Sequence, residues 1–122
     1  DGVESIGERA FSGCSVLTSI TIPNSATSIG YKAFCGCNNV TSIVIEEGNN
    51  TYDSRENCNA IIETTSNTLI AGCKNTVIPN SVTSIGKGAF SGCYSLKSIR
   101  IPNSVTEIGE DAFPEHTKVI RE

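Results

Sequence analysis

The side chains with the widest chemical range are six cysteines and a single histidine. Cys14, Cys35, Cys37, Cys58, Cys73 and Cys93 could ligate a metal, cross-link the chain or attack a substrate, and a nucleophile among them would need His116 as its base. A zinc site draws on several converging ligands, usually from spaced cysteine pairs; Cys35-Gly36-Cys37 is too tight for such a pair, and no second pair follows at finger spacing. Gly-x-Ser-x-Gly, His-Glu-x-x-His, Gly-x-Gly-x-x-Gly and the phosphate-binding loop are all absent. Glu46-Glu47 and Asp53 with Glu56 stand near Asn49 and Asn50 and offer a carboxylate pair or oxygen ligands for calcium. Without the spacing of a calcium-binding loop they read as a solvated charged loop. These residues point to no catalytic centre, no metal and no cofactor.

Most of the cysteines instead share a place in a repeat. Ile6-Gly7-Glu8-Arg9-Ala10-Phe11-Ser12-Gly13-Cys14 returns as Ile29 to Cys37, again as Ile85 to Cys93, and in weaker form as Ile108-Gly109-Glu110-Asp111-Ala112-Phe113. The first two copies and the last two are each 23 residues apart. Between them runs Leu17-x-x-Ile20-x-Ile22-Pro23, repeated at Val40-x-x-Ile43-x-Ile45 and Leu96-x-x-Ile99-x-Ile101-Pro102. A period of this length marks a solenoid, in which each repeat buries its apolar face against its neighbours.

Within one period, alternation puts Ile20 and Ile22 on one face of a short strand and Thr21 on the other. Pro23 lacks an amide proton and ends the strand, and Asn24-Ser25 supplies a turn. A second extended piece, Ala26 to Ile29, leads through Gly30 to a bend, after which the spacing of Phe34 and Cys37 predicts one helical turn with an inward face. Stacked turns would line up Cys14, Cys37 and Cys93 as a buried column of small thiols, with Cys73 buried at the slot of Leu17. Cys35, in place of Ser12 and Ser91, is expected to be a solvent-facing thiol, and His116, in the cysteine slot of the degenerate last repeat, an end-cap residue.

The middle breaks the period. Ile45 and Ile78 are 33 residues apart instead of 23, which implies about ten residues inserted into one turn. Residues 46–57 have no periodicity and read as loop. Ala60-Ile61-Ile62 and Leu69-Ile70-Ala71 then flank Thr64-Thr65-Ser66-Asn67 as a β-hairpin with a polar tip. Cys58 and Cys73 are equidistant from its centre, so antiparallel pairing would set them opposite each other, where a cross-strand disulfide is the alternative to free buried thiols. The expected organisation is a single domain, 1–122, of about five turns, with residues 46–75 as an irregular elongated module of loop and hairpin.

The composite Leu-x-x-Ile-x-Ile-Pro-x-Ser-Val-x-x-Ile-Gly-x-x-Ala-Phe-x-x-Cys resembles the BspA-type leucine-rich repeats of bacterial surface proteins and some parasitic protists, over nearly the whole chain. The resemblance implies a right-handed leucine-rich-repeat superhelix: a β-rich (α/β) repeat solenoid of 23-residue turns with a parallel sheet and one inserted β-hairpin module. The chain departs from the standard leucine-rich pattern in having Ser25, Ser81 and Ser104 where an asparagine ladder would sit. The resemblance also implies an extracellular or cell-surface location and attachment to host matrix proteins, host cells or other microbes.

Composition narrows the partners. Charged residues are 18% of the chain, below the usual ~25%, and 15 Ser, 12 Thr and 11 Asn supply the solvated face. The net charge of −4 comes almost wholly from residues 1–61, with three basic and seven acidic groups, whereas residues 62–122 hold six of each. No basic run offers a footprint for a phosphate backbone, so nucleic acid is not an expected partner. The longest aliphatic runs, Ile43-Val44-Ile45 and Ala60-Ile61-Ile62, are far short of the about twenty residues a spanning helix needs, so no membrane insertion is expected. No charged-then-apolar leader opens Asp1-Gly2-Val3, and both ends fall mid-pattern, as in a piece of a longer array.

In this register the outward sheet positions are Thr18, Ser19 and Thr21, then Thr41, Ser42 and Val44, then Lys74, Asn75 and Val77 in the irregular turn, then Lys97, Ser98 and Arg100. Hydroxyls at one end and cations at the other give a polarity that a protein can read. Together with the resemblance, this predicts a non-catalytic surface or secreted bacterial binding module for protein–protein or cell-adhesion contacts, its partner a host or microbial surface protein. The alternative is a structural spacer that holds another domain away from the cell surface. With Pro114 and His116 capping one end, the open amino-terminal end would allow weak end-to-end homodimers.

Overall fold

The computed structural model describes residues 4–8, 10–11, 13–14, 16–36 and 38–121. Along these residues run β1 (Ser5–Ile6), β2 (Ser19–Ile22), β3 (Ser28–Ile29), β4 (Ser42–Ile45), β5 (Tyr52–Asp53), β6 (Ala60–Glu63), β7 (Thr68–Gly72), β8 (Ser84–Ile85), β9 (Ser98–Ile101), β10 (Glu107–Ile108) and β11 (Lys118–Arg121), with a 3₁₀ turn at Arg55–Asn57. The four-residue strands of the regular turns pair in parallel, β2 with β4 from Ser19↔Ser42 to Ile22↔Ile45, and β9 with β11 from Ser98↔Lys118 to Ile101↔Arg121. The two-residue strands β1 with β3 and β8 with β10 also pair in parallel, with Ile6↔Ile29 and Ile85↔Ile108, as a second, short ladder in each half. The chain is a β-solenoid of about five turns at a spacing of about 23 residues.

The alternation read in the sequence is the packing observed. Ile20, Ile22, Ile99 and Ile101 are buried while Ser19, Thr21, Ser98 and Arg100 are exposed. Pro23, Pro79 and Pro102 each accept, at the carbonyl, the N–H of the residue three further on; Pro23 and Pro102 thereby turn the chain where β2 and β9 have lost their donor. Thr27, Thr41 and Thr106 each donate both backbone N–H and hydroxyl to the carbonyl 23 residues back, on Glu4, Thr18 and Thr83. These threonines are therefore fastened to the preceding turn as well as soluble.

Where one helical turn was expected after Gly30, residues 31–36 form hydrogen-bonded turns, with Ala33 N–H on the Gly30 carbonyl and Cys35 N–H on the Lys32 carbonyl. A three-residue spacing suits successive turns as well as a helix, so Phe34 keeps its inward side without one. Cys37, Ser12, Asp1–Val3 and Glu122 lie outside the described residues. No described helix is long and apolar enough to cross a membrane.

The third turn departs from the others twice. Leu69 pairs with Ile85 as Ile6 pairs with Ile29, which fixes its place in the repeat. From Ile45 to Leu69 is 24 residues, where Ile22 to Ile29 is 7; from Leu69 to Ile78 is 9, where Ile29 to Ile45 is 16. A net gain of ten thus conceals an insertion of 17 and a deletion of 7, and the deleted stretch is the one that carries Ala-Phe in the other turns. Within residues 46–57, expected to be loop, β5 forms and pairs antiparallel with β6, Tyr52 opposite Glu63. Strands β6 and β7 make the hairpin, Ala60↔Gly72 to Glu63↔Thr68, with a bulge between Ile61 and Ile62.

Strand β6 is a wall between two halves of the core. Ile61 packs with Ile20, Ile22, Val40 and Ile43, whereas Ile62 packs with Leu69, Val82, Ile85, Ile99 and Ile101. Adjacent residues of a strand face opposite ways, so a run of apolar residues without alternation is what a wall buried on both sides requires.

The disulfide considered between Cys58 and Cys73 is not formed; both thiols are free. The hairpin register sets Ala60 against Gly72, and the chain turns away at Asn59, whose φ is +57°. Cys58 is left with the core around Ile62 and Cys73 with the core around Ile61, on opposite sides of the wall.

Candidate functional site

Of the positions expected to face outward, Thr18, Ser19, Thr21, Thr41, Val44, Lys74, Asn75, Val77, Lys97, Ser98 and Arg100 are exposed, and Ser42 is half-buried. Thr21 stands opposite Val44 and Ser19 opposite Ser42. Arg100 stands opposite Ile120, and Ser98 opposite Lys118. Lys118 is exposed and extends the cationic end beyond Lys97 and Arg100. Its segment, Thr117-Lys118-Val119-Ile120, lacks the Ile-x-Ile-Pro signature that marks the other strands.

Lys74, Asn75 and Val77, however, lie on no strand, so the sheet expected to run through the irregular turn is interrupted there. Thr76 occupies the slot of Ile20, Ile43 and Ile99. Buried, it donates its hydroxyl to the Asn59 carbonyl at 2.5 Å and accepts the Cys73 N–H at 2.8 Å, which closes residues 73–76 into a turn. The open edge of β4 is finished by side chains. Ser54 Oγ donates to the Ile43 carbonyl at 3.0 Å, Asn59 Oδ1 accepts the Ile43 N–H at 3.3 Å, and Asn75 Nδ2 donates to the Thr41 carbonyl at 3.2 Å. In the short ladder the Ile29 N–H donates to the hydroxyl of Tyr52 at 3.1 Å. Burial pushes the Tyr52 phenol above its ordinary value, so the hydroxyl stays protonated at neutral pH.

The acidic stretches are built into the scaffold. Glu46 Oε1 accepts the Asn24 N–H at 2.9 Å. Asn49 donates Nδ2 to the carbonyls of Pro23 and Ala26 at 3.0 Å and accepts at Oδ1 from the N–H groups of Thr51 and Tyr52 at 2.8 Å. Its amide is fully engaged, in the manner of one rung of an asparagine ladder, and leaves no oxygen for a cation. Asp53 accepts from Arg55 Nε and Nη2 and from Thr64 Oγ1, each at 2.7 Å. Burial works to raise the Asp53 pKa, but the bonds from Arg55 and Thr64 outweigh it and hold the carboxyl below its ordinary value. Arg55 reaches on to Asn67 Oδ1 at 2.7 Å and Ser81 Oγ at 3.2 Å, tying the hairpin to the next turn.

Among the described residues, no three His, Cys, Asp or Glu side chains converge on a metal position. Cys58, Cys73 and Cys93 are buried and Cys14 is half-buried; burial pushes the Cys58 thiol up, away from reactivity. Cys35, expected to face solvent, is half-buried with Sγ 3.7 Å from Ser91 Oγ. His116 is exposed, with Nε2 3.0 Å from the Tyr94 carbonyl, because no further turn covers that slot among the described residues.

The deletion in the third turn opens a cleft of about 220 Å³ between the second and fourth turns, which the sequence did not suggest. Phe11 stacks on Phe34 with ring centroids 5.4 Å apart, and Phe90 on Phe113 at 5.1 Å, but the third turn has no phenylalanine to join the pairs. Phe90 is fully buried against Gly72, where a Cβ would run into its ring. Phe34 is half-buried and lines the cleft. Beside the cleft the second and fourth turns touch directly, with the Tyr94 N–H on Asn38 Oδ1 at 2.6 Å and Ser95 Oγ on the Asn38 carbonyl at 2.9 Å. Tyr31 reaches across to Gly88, where a Cβ would lie 2.8 Å from its ring. The ammonium groups of Lys32 and Lys87 lie 5.1 and 5.2 Å from the Tyr31 ring centroid, within cation–π range. Counting the chain separately on each side of Leu69 is the signal that locates this gap.

Residues 1–71 and 61–121 match the model of the BspA type leucine rich repeat region, in six copies. Among solved structures, the chain is similar to a leucine rich cell surface protein from Faecalibacterium prausnitzii, at 32% identity and a TM-score of 0.74, covering 98% of this chain and 33% of that one. It is similar to a leucine-rich repeat protein from Bacteroides ovatus at 31% identity and a TM-score of 0.54, covering 98% of this chain and 29% of that one. The pneumococcal vaccine antigen PcpA shares the fold at 21% identity and a TM-score of 0.77, with 98% of this chain and 30% of that one covered. The chain spans about a third of the length of these proteins. No curated protein matches the sequence.

Proposed function

The chain belongs to the BspA type leucine-rich repeat family, and from that premise we propose that it is a non-catalytic binding segment of a bacterial surface or secreted protein, holding a protein of a host or of a neighbouring microbe. The observation that carries the reading is the division of β2, β4 and β9 between an isoleucine face that stacks the turns and an outward face that differs from turn to turn. Thr21, Val44, Val77 and Arg100 occupy the same outward slot in successive turns. Val44 and Val77 are 49% and 73% exposed, an apolar centre between a hydroxyl end and the cations Lys97, Arg100 and Lys118. Such a row suits a partner with an acidic rim, with affinity built from weak contacts repeated along a longer array. The surface location is supported by the description of the F. prausnitzii relative as a cell surface protein.

Binding of the intact chain to immobilised matrix proteins, plasma proteins and glycans, at low and at high salt, tests this. Saturable, salt-sensitive binding that K97E/R100E abolishes is the expected result. Silence across the panel overturns the proposal in favour of a spacer, and binding indifferent to the double substitution moves the site to residues 46–70.

A further inference from the structure

We propose that the cleft left by the deletion in the third turn is a binding site for an aromatic carboxylate, separate from the outward sheet face. The ring is argued from the phenylalanine column. Phe11 and Phe34 are stacked within 1° of parallel and Phe90 and Phe113 within 15°, and the one turn without a phenylalanine lies between the pairs. Phe34 borders the resulting space, with Ile70 and Ala71 beside it. An apolar cavity of about 150 Å³ accommodates benzene, and about 220 Å³ leaves room for a substituted ring. A ligand ring there adds to the aromatic column that the chain leaves broken.

The carboxylate is argued from charge. Lys32 and Lys87, from turns that would be separated by the missing loop, both lie beside Tyr31. Neither is paired with a carboxylate among the described residues, where Arg55 with Asp53 forms the ion pair. Glu63 also lines the cleft, but its Oε1 accepts from Ser66 Oγ at 2.6 Å. Two cations against one engaged carboxylate leave the site selective for an anion. The aromatic carboxylate has two sources, a free small acid or the C-terminal phenylalanine of a polypeptide.

NMR titration of the isotope-labelled intact chain tests the site, with phenylacetate and an acetylated tripeptide ending in free phenylalanine as probes. Saturable shifts at Tyr31, Phe34, Ile70 and Lys87 are expected, with phenylacetamide and the peptide amide binding about tenfold more weakly. K32Q/K87Q removes that preference for the acid, and E63Q, by lifting the opposing charge, tightens phenylacetate binding about twofold. Tighter binding of the peptide than of phenylacetate assigns the site to chain termini; equal binding assigns it to small acids. Absence of saturable shifts at Phe34, or equal affinity for acid and amide, overturns the proposal.

Discussion

Strands β2 and β4 are joined by backbone, over four residue pairs in register. Between β4 and the turn that follows there is no strand pair, and Ser54, Asn59 and Asn75 supply the bonds that a strand would have made. The same substitution occurs in the short ladder, where Tyr52 answers the Ile29 N–H. A solenoid can therefore carry its stacking through a turn that has lost the repeat, on two conditions. Polar side chains must satisfy the exposed backbone edge, and an apolar wall, here Ile61 and Ile62 of β6, must close both halves of the core. The regular turns meet both conditions by repetition; the third meets them with residues specific to it.

The largest expected difference between these regions lies at one repeat slot, occupied by Phe34 before the third turn and by Phe90 after it. Phe90 is wholly buried, so F90A should cost about 3–5 kcal/mol. Phe34 faces the cleft and is half-buried, so F34A should cost about 1–2 kcal/mol. Urea unfolding of both variants checks this. Equal losses would mean that the cleft is closed in solution and that the comparison between the turns fails at this slot.

A smaller effect separates a specialised turn from a decayed one. T76I restores the isoleucine of the regular turns, and a decayed repeat would gain stability from it. Here the change leaves the Asn59 carbonyl and the Cys73 N–H without their partner at that site, and a loss of about 1–3 kcal/mol is expected in thermal unfolding. N59G keeps the left-handed backbone at +57° but removes the acceptor for Ile43, and should cost about 1 kcal/mol. A stabilised T76I would show that the side-chain network merely fills a defect.

What was legible followed from periodicity. The spacing of 23, the alternation of Ile20 and Ile22, and a polar tip between two apolar runs each describe a local constraint, and each has its counterpart in the strands and the hairpin. What was hidden depends on register across the irregular turn. A net gain of ten residues is the same number whether or not a loop has also been lost, so the cleft and the direct contact of Asn38 with Tyr94 left no trace in the total. Equidistance from the hairpin centre suggested facing cysteines, but one bulge and one left-handed asparagine suffice to put Cys58 and Cys73 on opposite sides of β6. A threonine in an isoleucine slot reads as a tolerated strand residue until its hydroxyl partners are known. The outward row was legible as exposure, because alternation along a strand decides which side chains leave the core.

The smallest effect is a difference in acid response. The regular ladders are held by backbone bonds that do not titrate, whereas the hairpin of the third turn is tied to the next turn through Arg55, which Asp53 holds in place. Bonds from Arg55 and Thr64, overcoming the effect of burial, place the Asp53 pKa in the folded chain below its ordinary value of 3.8. The contribution is therefore complete above that ordinary value and is lost as pH falls through the lower folded value. Partial exposure screens the pair and limits its worth to under about 1 kcal/mol. Urea midpoints of the wild-type chain and D53N, followed from about pH 6 to about pH 2, should differ most at the upper end and converge at the lower. Hydrogen exchange at matched pH should show the D53N change at β5 and β6 and leave β2, β4, β9 and β11 unaltered. A constant gap between the two proteins across the whole range would mean that Asp53 acts through packing alone, and the contrast between titrating and non-titrating turns would be lost.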